Sequence, residues 1–122
     1  MLLIFTVVYA EETVSTTDLI EYDVVYTVTT TDNITTLNAT FTVTNSENGI
    51  EEPLLIAAIY DDGRLVTMET AQPEIASGAT INETVSVVIP EDKTETYYIK
   101  LFAWEGTGKG GKINDYSPHQ TR

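Results

Sequence analysis

The chain has 122 residues, no cysteine, and 19 acidic residues against 6 basic ones, a formal net charge of −13. Its length is that of one domain able to bury a core without covalent staples, and the missing cysteines exclude disulfides and thiolate metal sites. The charge repels phosphate backbones and anionic lipid surfaces, which argues against a nucleic-acid partner.

The charge is uneven along the chain. Up to Asp92 there are 16 acids and one base, Arg64, whereas from Lys93 onward 5 bases face 3 acids. Threonine, valine, isoleucine and tyrosine are used heavily and no long run of strong helix formers occurs, so the composition favours strands.

Residues 1–10, Met-Leu-Leu-Ile-Phe-Thr-Val-Val-Tyr-Ala, are apolar and stop abruptly at Glu11-Glu12. The run suits the apolar region of a secretory signal with Val8-Tyr9-Ala10 as cleavage site, although no basic residue precedes Arg64 to supply the usual charged start. The rival reading is a strand with Leu3, Phe5, Val7 and Tyr9 on one face and Leu2, Ile4, Thr6 and Val8 on the other. Added to the sheet edge of a neighbouring copy, such a strand would make Leu3, Phe5 and Val7 self-association residues in a homo-oligomer of filament or pilus type. A membrane anchor is disfavoured, because a spanning helix needs about 20 apolar residues; no membrane span is expected.

Residues 13–18 are polar and hydroxyl-rich and read as a linker or a short edge strand. From Tyr22 to Thr30 the chain alternates, with Tyr22, Val24, Tyr26 and Val28 on one face. Asp32-Asn33 turns the chain into a second strand, where Leu37, Ala39, Phe41 and Val43 alternate with Asn38, Thr40, Thr42 and Thr44. Asn48-Gly49 gives the next turn.

The stretch from Leu54 to Thr70 holds the strongest hairpin signal, an Asp62-Gly63 pair between two apolar runs. A two-residue loop sets Asp61 opposite Arg64, Tyr60 opposite Leu65, Ile59 opposite Val66 and Ala57 opposite Met68. Leu55, Ala57, Ile59, Val66 and Met68 then share a core face, and Ile56, Ala58, Tyr60, Thr67 and Glu69 share the other. Pro73 ends the hairpin, Ser77-Gly78 turns again, and Ile81, Glu83, Val85, Val87 and Ile89 line one face of the following strand. The last strand runs from Tyr97 to Trp104 and is bulky on both sides, which places it centrally or under a covered outer surface.

Six to eight strands at such spacing, without a helix pattern, predict an all-β fold: a two-sheet antiparallel sandwich, immunoglobulin-like or fibronectin III-like, with a barrel as the alternative. The expected organisation is residues 1–10 as signal-peptide remnant or N-terminal strand, residues 11–104 as the sandwich, and residues 105–122 as a Gly-rich basic tail.

Three segments resemble a β-sandwich module that recurs as an accessory domain in secreted and surface proteins of Gram-positive bacteria. They are the strand ending Ala58-Ile59-Tyr60 before the acidic-Gly turn and Arg64-Leu65-Val66, the Ser77-Gly78 turn before Val85-Ser86-Val87-Val88-Ile89-Pro90, and Tyr98-Ile99-Lys100-Leu101-Phe102-Ala103-Trp104. The resemblance covers about residues 54–104 and implies an extracellular or cell-surface accessory role; no functional residue carries over from it.

Catalysis has little to stand on. Nucleophilic chemistry needs a base beside the nucleophile, and the single histidine, His119, lies in the polar tail. The acidic pairs Glu11-Glu12, Glu51-Glu52, Asp61-Asp62 and Glu91-Asp92 read as solvated charge. Asp61-Asp62 and Glu91-Asp92 fall on loops where calcium could be held, but no EF-hand spacing is present, and neither a metal site nor a cofactor is assigned. Trp104, Tyr98 and Phe102, with Tyr97 and Tyr116 nearby, are the candidate ligand platform, since aromatic faces stack on sugar rings. The sequons at Asn33, Asn38 and Asn82 fall in turns or on wet strand faces. The expected function is a non-catalytic, secreted or cell-surface interaction or spacer module with a protein or cell-surface polysaccharide partner; the alternatives are the filament subunit and a carbohydrate-binding module.

Overall fold

The computed structural model describes residues 9–12, 19–91, 97–105 and 112–118. Its elements are β1 (Tyr9–Glu12), β2 (Ile20–Thr31), β3 (Ile34–Asn45), β4 (Leu54–Asp61), β5 (Arg64–Ala71), β6 (Thr80–Ile89), β7 (Tyr98–Glu105) and β8 (Lys112–Asp115). They form two antiparallel sheets of 4 strands, ordered β1-β2-β3-β6 and β5-β4-β7-β8. The fold is an all-β sandwich in which β3 lies between its hairpin partner β2 and the distant β6 in one sheet, and β4 between its hairpin partner β5 and the distant β7 in the other. This is connectivity of the fibronectin III-like kind, with β1 added outside β2.

Two hairpins rest on the same turn chemistry. Asp32 and Asn33 have φ of 53° and 67°, and Asp62 and Gly63 have φ of 55° and 77°, so both central residues of each loop are left-handed. That is the turn whose twist matches the strands it joins, and Asp, Asn and Gly are the residues that adopt it at least cost.

The strand periodicity holds through β2, β3, β6 and β7. Tyr22, Val24, Tyr26 and Val28, then Leu37, Ala39, Phe41 and Val43, face inward and meet Leu55, Ala57, Ile59, Ile99, Leu101 and Ala103 of the other sheet. On β6, Val85, Val87 and Ile89 are buried, and Glu83 sits half-buried on the same face, directly opposite Phe41. β7 is central, as its two bulky faces predict.

The β4–β5 hairpin departs from the expected register. Asp61 pairs with Arg64 and Tyr60 with Leu65, but Ile59 then pairs with Thr67, Ala58 with Met68 and Ala57 with Glu69. Val66 is the extra residue of a β-bulge, so every residue after it is displaced by one relative to an unbulged ladder. Met68 therefore lies on the outer face, 47% exposed, while Thr67 and Glu69 take the core-side positions of this edge strand. Val66 is partly buried against the core, and Ala58, between Lys100 and Met68 on the outer face, is fully buried.

The expectation of a tail from residue 105 is also corrected. β8 pairs with β7, the Tyr116 N–H donates to the Leu101 carbonyl at 2.8 Å, and the Leu101 N–H donates to Ser117 Oγ at 3.0 Å. The Tyr116 ring is buried against Tyr22, centroids 5.9 Å apart and tilted by 49°. A four-residue strand reading Lys-Ile-Asn-Asp has too few apolar residues to show a period, so only the fold reveals it.

Candidate ligand face

β4 and β7 lie side by side, so their outward residues form rungs: Leu54 with Trp104, Ile56 with Phe102, Ala58 with Lys100, and Tyr60 with Tyr98. The pleat makes these the outer face because the alternating set, Leu55, Ala57, Ile59, Ile99, Leu101 and Ala103, is in the core. β5 extends the rungs with Leu65 beside Tyr60, Met68 beside Ala58 and Thr70 beside Ile56. β8 adds Ile113 beside Trp104 and Asp115 beside Phe102.

The result is an apolar, partly aromatic sheet face on an otherwise acidic chain. Leu65, Tyr98 and Ile113 are each at least half exposed, and Phe102 and Trp104 are half-buried. The only charges on these rungs are Lys100 and Asp115. The Lys100 ammonium sits 5.3 Å from the centre of the Tyr60 ring, a distance at which the ring's negative face attracts it.

The three platform residues predicted from sequence thus share one face, with Tyr98 exposed and the other two embedded among neighbours. Tyr97 and Tyr116 do not join them; both are buried on the core side. Sequence reasoning missed Tyr60, Leu65 and Met68 as platform neighbours, because the bulge that turns Met68 outward has no signature in residue type. Leu3, Phe5 and Val7, the candidate self-association residues, lie outside the described residues, as does His119.

The outer face of the other sheet is polar between β3 and β6, with Val25 and Val88 exposed beside the polar rows. Four successive opposed pairs on β3 and β6 are closed by side-chain hydrogen bonds: Ser86 to Asn38 (2.7 Å), Thr40 with Thr84 (2.9 Å), Thr42 to Asn82 (2.7 Å) and Thr44 with Thr80 (2.9 Å). The sequon asparagines Asn38 and Asn82 are held in these rungs by their Oδ1 atoms, and Asn33 is exposed in the β2–β3 turn.

On the core side, Tyr22 Oη is buried with no hydrogen-bond partner among the described residues. Burial first, then the negative charge of Glu105, pushes its phenol well above the usual tyrosine value, so it stays neutral. Trp104 Nε1 is likewise buried with no partner among the described residues. Among the described residues no three acidic or imidazole side chains gather as a metal-holding group, and no helix is long and apolar enough to cross a membrane.

Compared with known proteins, the chain matches no family model, no curated protein and no solved structure.

Proposed function

We propose that this chain is a non-catalytic β-sandwich module, secreted or displayed at a cell surface, that works by docking through the outer face of the β5-β4-β7-β8 sheet. The carrying observation is the asymmetry between the two outer faces. One carries a polar side-chain grid between β3 and β6, with Val25 and Val88 the large apolar residues exposed beside it; the other presents Leu65, Met68, Tyr98 and Ile113 to solvent around the half-buried rings of Tyr60, Phe102 and Trp104. Contiguous exposed apolar surface rimmed by polar groups is a mark of interaction sites. The apolar leader and the resemblance of residues 54–104 to accessory modules of Gram-positive surface proteins support export and an accessory role.

A protein partner is the first reading, because aliphatic side chains outnumber exposed rings on the face. A cell-surface polysaccharide is the second, favoured by Tyr60 and Tyr98 standing side by side as a stacking pair.

The test compares the unmodified chain with the Leu65→Ser, Tyr98→Ser double variant for retention on surface proteins and on wall polysaccharide from the source cells. Retention of the unmodified chain by one fraction and loss of it in the variant is expected. Equal retention of both, or a hydrolytic activity abolished by one polar substitution, would overturn the reading.

A further inference from the structure

Residues 46–53 carry the chain from the end of β3 to the start of β4, out of one sheet and into the other. The crossover is pinned by side chains. Asn45 Oδ1 accepts from the Glu47 N–H at 2.8 Å, Asn45 Nδ2 donates to the Gly49 carbonyl at 2.8 Å, and Ser77 Oγ donates to the Glu47 carbonyl. Between these anchors Asn48 and Gly49 are exposed, and a Cβ built on Gly49 would meet nothing within 4 Å. No hydrogen bond among the described residues engages the Gly49 N–H. Asn48 is also the one asparagine of the chain that glycine follows.

We infer that Asn48-Gly49 is a self-modifying site, where Asn48 loses its side-chain amide through a cyclic imide and leaves isoaspartate in the backbone. The Gly49 nitrogen gives its proton to hydroxide and attacks Asn48 Cγ. The Cγ–Nδ2 bond breaks, and the departing nitrogen takes a proton from water and leaves as ammonia. Water then opens the imide at either carbonyl. Opening at Cγ gives aspartate; opening at the main-chain carbonyl gives isoaspartate, in which the chain runs on through Cβ and Cγ. The sum consumes water, releases ammonia, and turns a neutral side chain into a carboxylate without an enzyme or a metal.

The structure separates this asparagine from the rest. Glycine puts no β-carbon beside the attacking nitrogen and lets the backbone rotate into the ring geometry. Asn45 is buried with its side chain bonded, and the N–H that follows it, on Ser46, donates to the Leu19 carbonyl at 2.7 Å. Asn38, Asn82 and Asn114 lie inside β3, β6 and β8 with side-chain hydrogen bonds of their own. Asn33 precedes the branched Ile34 in a left-handed turn. Asp62-Gly63 has the composition for the same cyclisation, but its φ values of 55° and 77° are set by the hairpin it closes.

The consequence reaches the core. Isoaspartate adds a methylene to the backbone between the Glu47 N–H and the Gly49 carbonyl, the two groups that the Asn45 side chain holds at once. One amide of fixed size cannot span the longer path, so the crossover loosens at Asn45, whose Nδ2 also bonds the carbonyl of buried Ile75. A surface reaction thereby acts on a buried junction, and the chain carries a slow change of charge and stability in its own sequence. This holds independently of the docking face.

The experiment ages the folded full-length chain in neutral and in mildly alkaline buffer. Digestion after glutamate releases residues 48–51, in which mass spectrometry reads the loss of the amide and chromatography against a synthetic isoaspartyl standard separates the two products. Amide loss at Asn48 should outrun that at every other asparagine, quicken with pH and yield isoaspartate. Gly49→Ala should slow it, since the methyl has room and Gly49 is not in the left-handed region. The isoaspartyl fraction should unfold at a lower urea midpoint than Asn48→Asp, which has the same charge on a normal backbone. Loss at Asn48 no faster than at the other asparagines, or unchanged by Gly49→Ala, would overturn the site. An isoaspartyl fraction as stable as Asn48→Asp would overturn its coupling to Asn45.

Discussion

The side-chain Nδ2 of Asn45 donates to the carbonyl oxygen of Ile75 at 2.9 Å, tying the end of β3 to a residue 30 positions further along the chain. The same amide donates to the Gly49 carbonyl at 2.8 Å, and Asn45 Oδ1 accepts from the Glu47 N–H at 2.8 Å. Asn45 is fully buried, and Ile75, on the irregular segment before β6, enters the core while exchanging backbone bonds with Glu51. Replacing Asn45 by Leu removes the side-chain partners of the Gly49 carbonyl and the Glu47 N–H and leaves the Ile75 carbonyl with the Glu51 N–H alone, and Asn45→Asp supplies an acceptor where two donors are needed. Each variant should lose about 2–4 kcal/mol, read as a lower urea midpoint at unchanged slope.

The β-bulge makes a prediction about length rather than identity. Without Val66, Leu65 still pairs with Tyr60, and Thr67, Met68 and Glu69 still meet Ile59, Ala58 and Ala57, now in an uninterrupted ladder. Deleting Val66 should therefore leave the circular dichroism spectrum unchanged and cost no more than about 1–3 kcal/mol for the lost packing. Inserting one residue after Thr67 instead reverses the facing of Met68, Glu69 and Thr70, and should cost more.

Stability should fall in alkaline solution, and Tyr22 is the reason. Its folded-state phenol is raised above the unfolded value near 10, chiefly by burial, so the folded protein holds a proton that the unfolded chain releases. The contribution is complete below pH 10 and is lost as pH rises through the folded value; buried Tyr26, raised by burial in the same direction, adds to it. Urea midpoints from pH 8 to pH 11 should decline, and Tyr22→Phe should flatten the decline. Because Tyr22 Oη has no hydrogen-bond partner among the described residues, that substitution should cost little at pH 8.

Glu83 faces inward on β6, an edge strand, across from Phe41. An inward charge on an edge discourages another strand from pairing there. Glu83→Val should raise the urea midpoint of dilute protein, because the position is half-buried, and should increase association at high concentration, read by light scattering. A variant that remains as dispersed as the parent chain would deny Glu83 this role.

Much of the fold was legible where side chains alternate cleanly. Tyr22 to Val28, Leu37 to Val43 and Val85 to Ile89 announce their inward faces by period, and the Asp-Asn and Asp-Gly turns announce their hairpins by the positive φ those residues tolerate. What failed to show was structure decided by backbone geometry or by distant neighbours. The bulge at Val66 shifts β5 without any unusual residue, β8 is too short and polar to have a period, and Ile75 sits between loops with no pattern around it. At the candidate face, Tyr98, Phe102 and Trp104 were readable together because they lie on one strand. Tyr60, Leu65 and Met68 became their neighbours only through strand pairing across the sheet.

The cross-strand rungs joining β3 to β6 have a further consequence. In each of them one side-chain proton is committed sideways to a neighbour, while the accepting hydroxyl of each Thr pair and the amide N–H groups of Asn38 and Asn82 keep protons that these bonds do not use. Such a surface fixes its own side chains in place and still offers protons to water, so its hydration is ordered by the same rungs that hold the two strands in register.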